Sequence, residues 1–373
     1  MKKKVIQLIH GFSMGGAETL VKEYCLKLNK EKYDVSVLCF YKYGAPYEKI
    51  LEDAGIRITY IDDYKKRCAR TGVKKLLNGF EIVRRYFYIK KHLTKESPDI
   101  LHSHLAVNSY VDFANLKKGT KIVHTVHNEP KRLWRNTFSR RLDFWSAKRL
   151  ITKYQMRFVV LHEAMRKEVN EMFGIEDSIV LNNGIDFARF ENAESKNAVR
   201  HREGIPEDAF VIGHVGRFGP QKNHKFLVEI FEKIYEQNQN AYLLMIGNGN
   251  LKGEIEEQLK SKGLESRYKI LSNRSDVPDL LNAMDKFVFP SLYEGLPVTL
   301  IETQKAGLEC FVSDRITESV IVSNLVIRIS LEESAKAWAE HILKDTVGTI
   351  EYEGIEAWDM KHVVLRLEEI YRS

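Results

Sequence analysis

Long hydrophobic runs are missing from this sequence. No segment approaches the ~18 apolar residues that a bilayer-spanning helix needs, so any membrane role would be peripheral. The opening "MKKKVIQLIHGFSMGG" has a basic head, but its apolar run is short and gives way to glycine, unlike a secretory signal. Cysteine is scarce as well. Cys25, Cys39, Cys68 and Cys310 are scattered and form no C-x-x-C pair, which argues against zinc and disulfide frameworks and for reduced thiols in the cytosol. Proline occurs eight times, and no low-complexity tract or short repeat appears, so the chain reads as globular throughout.

At 373 residues the chain exceeds one ordinary core, and two domains are expected. Its net charge of +7 is unevenly spread: residues 1–190 carry 36 Lys and Arg against 21 Asp and Glu, and residues 191–373 carry 22 against 30. The first half is therefore suited to an anionic partner, nucleic acid or acidic lipid.

Short β-branched runs alternate with helical patterns along the whole chain. The strand candidates are residues 5–9, 35–40, 56–61, 100–104, 121–126, 157–161 and 178–181, then 210–216, 241–247, 268–272, 286–291 and 309–313. Apolar runs of this length between amphipathic stretches predict βαβ units and buried parallel sheets. A polar seam near "ENAESKNAVRHREG" (191–204) divides them into an α/β pair, two doubly wound domains facing across a cleft, 1–190 and 191–356. The last helix, about 357–373, carries an apolar face of helical period. Ligands are expected at the carboxyl ends of the strands.

Several motifs sit at such ends. In "YEGLPVTLIE" (293–302) a strand leads through Gly295, which allows close approach, to Pro297, suited to a first helical position. The N–H groups of Val298, Thr299 and Leu300 would then form an anion site, with Glu302 one turn on and placed to accept from vicinal hydroxyls. Glu294, on the loop, could meet a second polyol group or a developing positive charge. In "GHVGRFGPQKNH" (213–224), Arg217 and Lys222 can both reach one phosphate-rich ligand, although no G-K-[ST] makes it a Walker motif. "IGNGN" (246–250) lacks the third glycine of a dinucleotide fingerprint. In the first half, Gly15 and Gly16 open a helix after strand one, where amides can approach a phosphate or sugar. "HSH" (102–104) and "HTVHN" (124–128) bring four histidines to strand ends, but no carboxylate or cysteine joins them at ligand spacing, so one is expected to face the cleft while the others pack or hydrogen-bond.

Taken together, "GGAE", "HSH", "TVHN", "NNGIDFARF", "GRFGPQKNH", "IGNGN", "PSLYEGLPVTLIE" and "AGLECFVSD", in that order over nearly the whole chain, resemble the retaining GT-B glycosyltransferases of glycosyltransferase family 4. The likeness is to bacterial enzymes that build exopolysaccharide, capsule or lipid-linked glycans. The resemblance implies a GT-B fold, with an acceptor-side domain 1–190 onto which the last helix packs back, and a donor domain 191–356. It implies that Arg217 and Lys222 hold the donor diphosphate and stabilise the leaving group, and that Glu302 binds the ribose. Residues Gly295, Leu296, Pro297, Val298, Thr299 and Leu300 would meet phosphates and sugar, and Glu294 the transferred sugar. His127 would face the reacting sugar, Gly15 and Gly16 would lie near the phosphate and acceptor, and Arg274 beside the nucleobase. The family needs no metal for catalysis, in keeping with the lack of a D-x-D element in this sequence.

The resemblance thus implies transfer of a hexosyl or N-acetylhexosaminyl group from a nucleotide sugar, expected to be UDP-linked, to a glycan or polyprenyl-linked acceptor, with no cofactor and no metal. The alternatives are an inactive sugar-nucleotide-binding partner subunit, or a GT-B epimerase or phosphorylase. The basic-aromatic segments "YKKRCARTGVKKLLNGFEIVRRYFYIKKHL" (64–93) and "KRLWRNTFSRRLDFWSAKR" (131–149), with Trp134 and Trp145, point to an anionic membrane surface. No nucleic-acid module accompanies the charge. The expected location is cytoplasmic, at the inner face of the cell membrane.

Overall fold

The computed structural model describes residues 1–12, 15–63, 74–134, 137–344 and 348–373. Cys68 and the first ten residues of the basic segment 64–93 lie outside them, as do Arg135 and Asn136.

The first unit, Met1–Gly184 with Met360–Ser373, holds a seven-stranded sheet. Its strands are β1 (Lys3–Ile9), β2 (Tyr33–Lys42), β3 (Arg57–Asp63), β4 (Ile100–His104), β5 (Lys121–Val126), β6 (Arg157–Val160) and β7 (Ile179–Val180), in the order β3-β2-β1-β4-β5-β6-β7. The second unit, Ile185–Asp359, holds β8 (Phe210–Val215), β9 (Ala241–Ile246), β10 (Tyr268–Leu271), β11 (Lys286–Phe289), β12 (Glu309–Ser313) and β13 (Val326–Ile329), in the order β10-β9-β8-β11-β12-β13. Every pairing in both sheets is parallel. Parallel neighbours need crossovers that cover both sheet faces, and β4 and β9 are accordingly buried at every residue. Twelve of these strands coincide with the expected runs to within a few residues. β13 does not, because this edge strand is only partly buried and Arg328 interrupts its apolar run.

The division between the units falls after Gly184, not after residue 190. Ile185 donates its N–H to the Trp358 carbonyl at 2.7 Å, and both side chains join the core of the second unit with Phe187. For the same reason residues 357–359 stay with the second unit, and the last helix begins at Met360.

That helix, Met360–Arg372, returns to the first unit. Met360, Val363, Val364, Leu367, Ile370 and Tyr371 recur at helical spacing and are buried among Leu20, Val21, Tyr24 and the side chains of β1 and β2. Asn29 N–H donates to the Glu368 carboxylate at 3.1 Å, which fixes the helix at a second point. Burial of one large aliphatic side chain contributes roughly 1.5–3 kcal/mol, so this face supplies much of the first unit's stability. Leu367→Ala is expected to destabilise the first unit by about 2–5 kcal/mol, read as a lower urea midpoint at unchanged slope. A cost below about 1 kcal/mol would show that the helix is peripheral to that core.

Candidate functional site

In each sheet one pair of neighbouring strands marks a reversal of strand order: β1 and β4 in the first unit, β8 and β11 in the second. The loops leaving their carboxyl ends run in opposite directions, which leaves a crevice there. The second unit places most of the singled-out residues at this point. β8 runs into Gly216, Arg217 and Phe218, and β11 into the loop that carries Glu294.

The "IGNGN" loop braces the first of these. Gly216 N–H donates to the Ile246 carbonyl at 2.9 Å, Phe218 N–H to that of Asn248 at 3.0 Å, and Leu251 N–H to that of Phe218 at 3.2 Å. A Cβ on Gly247 would overlap the Gly216 carbonyl, and one on Gly249 that of Phe218. These glycines let two loops close on each other and hold Arg217 outward, where it is exposed and has no carboxylate partner among the described residues.

Lys222 ends the short turn Pro220–Lys222. Its Nζ lies 2.7 Å from Glu294 Oε1 and 4.3 Å from the centroid of Phe289, while Gln221 Nε2 donates to Glu294 Oε2 at 3.0 Å. Leu292 N–H donates to the Gln221 carbonyl at 2.8 Å, so the two loops are tied by backbone as well as by charge. Burial pushes the Lys222 ammonium below its ordinary range, and Glu294 opposes that shift. The two cations expected to share a ligand therefore differ: Arg217 is solvated, and Lys222 is held by a carboxylate that an arriving anion must compete with. Gln221 went unnoticed in the sequence, although it directly precedes Lys222.

The next helix is Val298–Lys305, so Pro297 is its N-cap and not its first residue. Val298 N–H donates to Leu296 O and Leu300 N–H to Pro297 O, both at 2.9 Å. Two of the three amides expected to face an anion are thus engaged by this tight turn, and among the described residues only the Thr299 N–H of the three has no acceptor. Nothing lies within 4 Å of a Cβ built on Gly295, so the fold itself does not demand glycine there. Glu302 is held in a desolvated position that pushes its carboxyl up to about 7, and Arg189 is the cation that opposes this. Arg189 also donates to the Ser275 carbonyl, which joins the "FARF" segment to the loop after β10. It too was missed by motif reading.

Arg274 lies on that loop, with its guanidinium engaged by carboxylates through Nε and Nη2. It pairs with Asp276 and, at 2.9 Å, with Glu203, and these hydrogen bonds hold it firmly protonated. What Arg274 can offer a ligand is its backbone and the Nη1 group, which has no hydrogen-bond partner among the described residues.

In the first unit, Gly15 caps the helix Gly16–Lys27 and Gly16 opens it. A Cβ on Gly15 would meet the Glu18 carboxylate, whereas Gly16 has open space. The four histidines are not equivalent. His102 bonds Tyr371 Oη and Thr125 Oγ1, both at 2.7 Å; His124 bonds Ser103 Oγ at 2.8 Å and Asn108 at 3.4 Å. His104 bonds Gln7 Oε1 at 2.8 Å and His127 Nε2 at 3.0 Å. His127, following β5, is only partly buried, and its Nδ1 has no hydrogen-bond partner among the described residues. Desolvation alone lowers it to about 4, so it is neutral at physiological pH.

The basic-aromatic segments also divide. Trp134 is buried and donates to Asp143 at 3.0 Å, so it belongs to the core and not to a surface. Phe138, Leu142 and Trp145 form an exposed stripe on the helix Phe138–Tyr154, and Phe80, Val83 and Phe87 form another on the helix Lys74–Glu96. Both helices pack on Asn108–Ala114, where Phe87 meets Phe113 edge to face, and the exposed Lys90, Lys91, Arg140, Arg141 and Arg149 flank the stripes. No described helix is long and apolar enough to cross a membrane.

Residues 14–189 match the family described as Glycosyltransferase Family 4, and residues 195–345 the one described as Glycosyl transferases group 1. EpsF of Bacillus subtilis (strain 168), named as a glycosyltransferase, is 30% identical over 353 residues, covering 92% of this chain and 88% of that protein. The UDP-Gal:alpha-D-GlcNAc-diphosphoundecaprenol alpha-1,3-galactosyltransferase of Escherichia coli is 27% identical over 309 residues, covering 80% of this chain and 76% of that protein. Among solved structures, Anabaena Alr3699/HepE in complex with UDP superposes with a TM-score of 0.72 at 15% identity, over 100% of both chains.

Glu302 has a measurable consequence without any ligand. Its folded pKa of about 7 lies above its ordinary value of 4.5, so ionisation opposes folding. The penalty is absent below the ordinary carboxylate range, grows as pH rises through it, and is complete above about 7. Glu302→Gln should therefore raise the thermal midpoint in mildly alkaline buffer, by at most about 3 kcal/mol of stability, with the gain shrinking on acidification. A lower midpoint at alkaline pH would mean that Glu302 is stabilised in its ionised form.

Proposed function

The chain belongs to glycosyltransferase family 4 of the GT-B glycosyltransferases, and on that premise we propose that it transfers a hexosyl or N-acetylhexosaminyl group from a UDP-sugar to a lipid-linked glycan, with retention at the anomeric carbon, in bacterial surface polysaccharide synthesis. The observation that carries this reading is the Lys222–Glu294 pair at the strand reversal of the second unit, with Arg217 on the loop after β8 and Glu302 on the helix that follows the Glu294 loop. The lipid diphosphate in the name of the Escherichia coli relative supports the acceptor class, and the UDP held by Anabaena HepE supports the donor.

In this reading the donor diphosphate lies against Arg217 and takes Lys222 over from Glu294, while the Thr299 amide contributes at the helix start. Glu302 accepts from the two ribose hydroxyls. As the bond from C1 of the sugar to the diphosphate oxygen breaks, the leaving oxygen gains charge, which the two cations stabilise, and C1 gains positive character, which Glu294 stabilises. The acceptor hydroxyl forms the new bond to C1 and gives up its proton to the departing phosphate oxygen. His127, neutral and with Nδ1 free to accept, holds a hydroxyl of the transferred sugar, and Gly15 and Gly16 admit the phosphate and acceptor. The charge work falls to side chains, so no metal is needed.

The exposed stripes of the first unit, flanked by Lys and Arg, serve as a peripheral contact with an anionic bilayer, where a lipid-linked acceptor resides. Each basic residue near such a surface contributes about 1 kcal/mol.

The two glutamates should separate in one set of measurements. Glu302→Gln weakens UDP and UDP-sugar alike. Glu294→Gln lowers turnover about tenfold to a hundredfold but leaves UDP affinity equal or higher, because Lys222 is released to the diphosphate. Calorimetry with UDP and steady-state rates decide it, and EDTA should leave both unchanged. Equal loss of UDP affinity in the two variants, or rescue of an EDTA-inhibited enzyme by magnesium, would contradict the scheme.

Vesicle co-sedimentation tests the surface. Binding to anionic vesicles should fall with added salt and in the double variant Phe138→Ser/Trp145→Ser, with UDP affinity intact. Equal binding to neutral and anionic vesicles would remove the electrostatic contribution.

A further inference from the structure

Gln7 lies in the middle of β1, fully buried, where parallel strands ordinarily carry aliphatic residues. Its amide is engaged at both ends: Nε2 donates to Tyr371 Oη at 3.1 Å, and Oε1 lies 2.8 Å from His104 Nε2. An amide oxygen can only accept, so His104 carries its proton on Nε2. Its Nδ1 is then an acceptor, and at 3.0 Å it faces His127 Nε2, which must supply the proton. The consequence passes across the ring of His127. With Nε2 protonated and the ring neutral, Nδ1 presents a lone pair. Burial keeps His127 neutral, so the choice is between two neutral tautomers, and this chain of bonds makes it.

We propose that Gln7 and His104 are positioning residues that lock His127 in its Nε2–H tautomer, so that its partly exposed Nδ1 accepts only from an O–H or N–H of the sugar. The proposal rests on the reading of His127 as the sugar-facing residue. It adds that the site discriminates by hydrogen-bond polarity: a sugar hydroxyl is taken, and a carbonyl or phosphate oxygen at the same place is refused. Tyr371, on the returning C-terminal helix, accepts from Gln7 Nε2 and lies 2.7 Å from His102 Nδ1, to which its own O–H can donate. The end of the chain thus bears on the protonation pattern of a residue after β5.

Long-range nitrogen–proton correlation spectra of the full-length, ligand-free wild type should show His104 and His127 both protonated on Nε2. Finding His127 protonated on Nδ1 would overturn the proposal. Gln7→Met removes both hydrogen bonds at similar size. It should lose the single tautomer of His127 and lower kcat about tenfold, with UDP affinity and the KM for the UDP-sugar unchanged. Gln7→Glu keeps an acceptor facing His104 and should restore both the tautomer and most of the rate. A locked tautomer in Gln7→Met, or a rate loss in Gln7→Glu as large as in Gln7→Met, would sink the clamp. If instead the spectra behave as expected while His127→Ala transfers sugar at the wild-type rate, the clamp stands and the role given to His127 fails.

Discussion

Parallel strands buried on both faces leave only their ends for polar chemistry, and that constraint shapes the rest of the molecule. The side chains of β9 are all buried, and those of β8 nearly so, so a ligand has no route to the middle of the sheet. Where strand order reverses, at β8 and β11, neighbouring loops part and expose backbone and side chains at the carboxyl ends. Arg217, Lys222 and Glu294 are there because those strands end there. The glycines of the loop after β9 close the opposite side by direct backbone contact with Gly216 and Phe218.

The same geometry puts ionisable groups where water is limited, and the two glutamates meet that cost differently. Glu294 is almost buried but has Lys222 at 2.7 Å and Gln221 at 3.0 Å. Its charge is matched by a partner whose own ammonium is destabilised by burial. Among the described residues Arg189 is the cation that opposes desolvation of Glu302, whose pKa rises to about 7. A diphosphate offers Lys222 a second anion, and a ribose offers Glu302 two hydroxyl donors, so in this reading the donor supplies what each site lacks. Sites built this way are commonly less stable than the fold allows.

In the first unit the polar chemistry penetrates further. Gln7, His102, His104, Thr125 and Tyr371 form a buried hydrogen-bonded network within the sheet. Such a network is tolerable only when its members are satisfied, and then it fixes proton positions as well as side-chain positions. The returning helix is part of it, because Tyr371 supplies the hydroxyl that both Gln7 and His102 use.

Hydrophobic patterning alone was enough to read twelve of the thirteen described strands, the two-unit organisation and the amphipathic last helix, because apolar runs and helical periodicity are local properties of the chain. The Glu294–Glu302 spacing and the Arg217–Lys222 loop were legible for a similar reason: strand, turn and helix start follow one another directly. What the sequence could not decide was partnership. Lys222 and Glu294 lie 72 residues apart, and only the strand order that sets β8 beside β11 brings them together. Nothing local to Arg274 announced its pairing with Glu203, 71 residues upstream. Trp134 looked like a surface anchor until Asp143 gave its indole a buried partner. Gln7 carried no signal, since a single polar residue in a strand reads as an outward position. Its role depends on His104, 97 residues on, and on Tyr371 at the end of the chain. Local pattern reports which side chains are buried; the free energy of a buried polar group depends on what it meets, and that is set by topology.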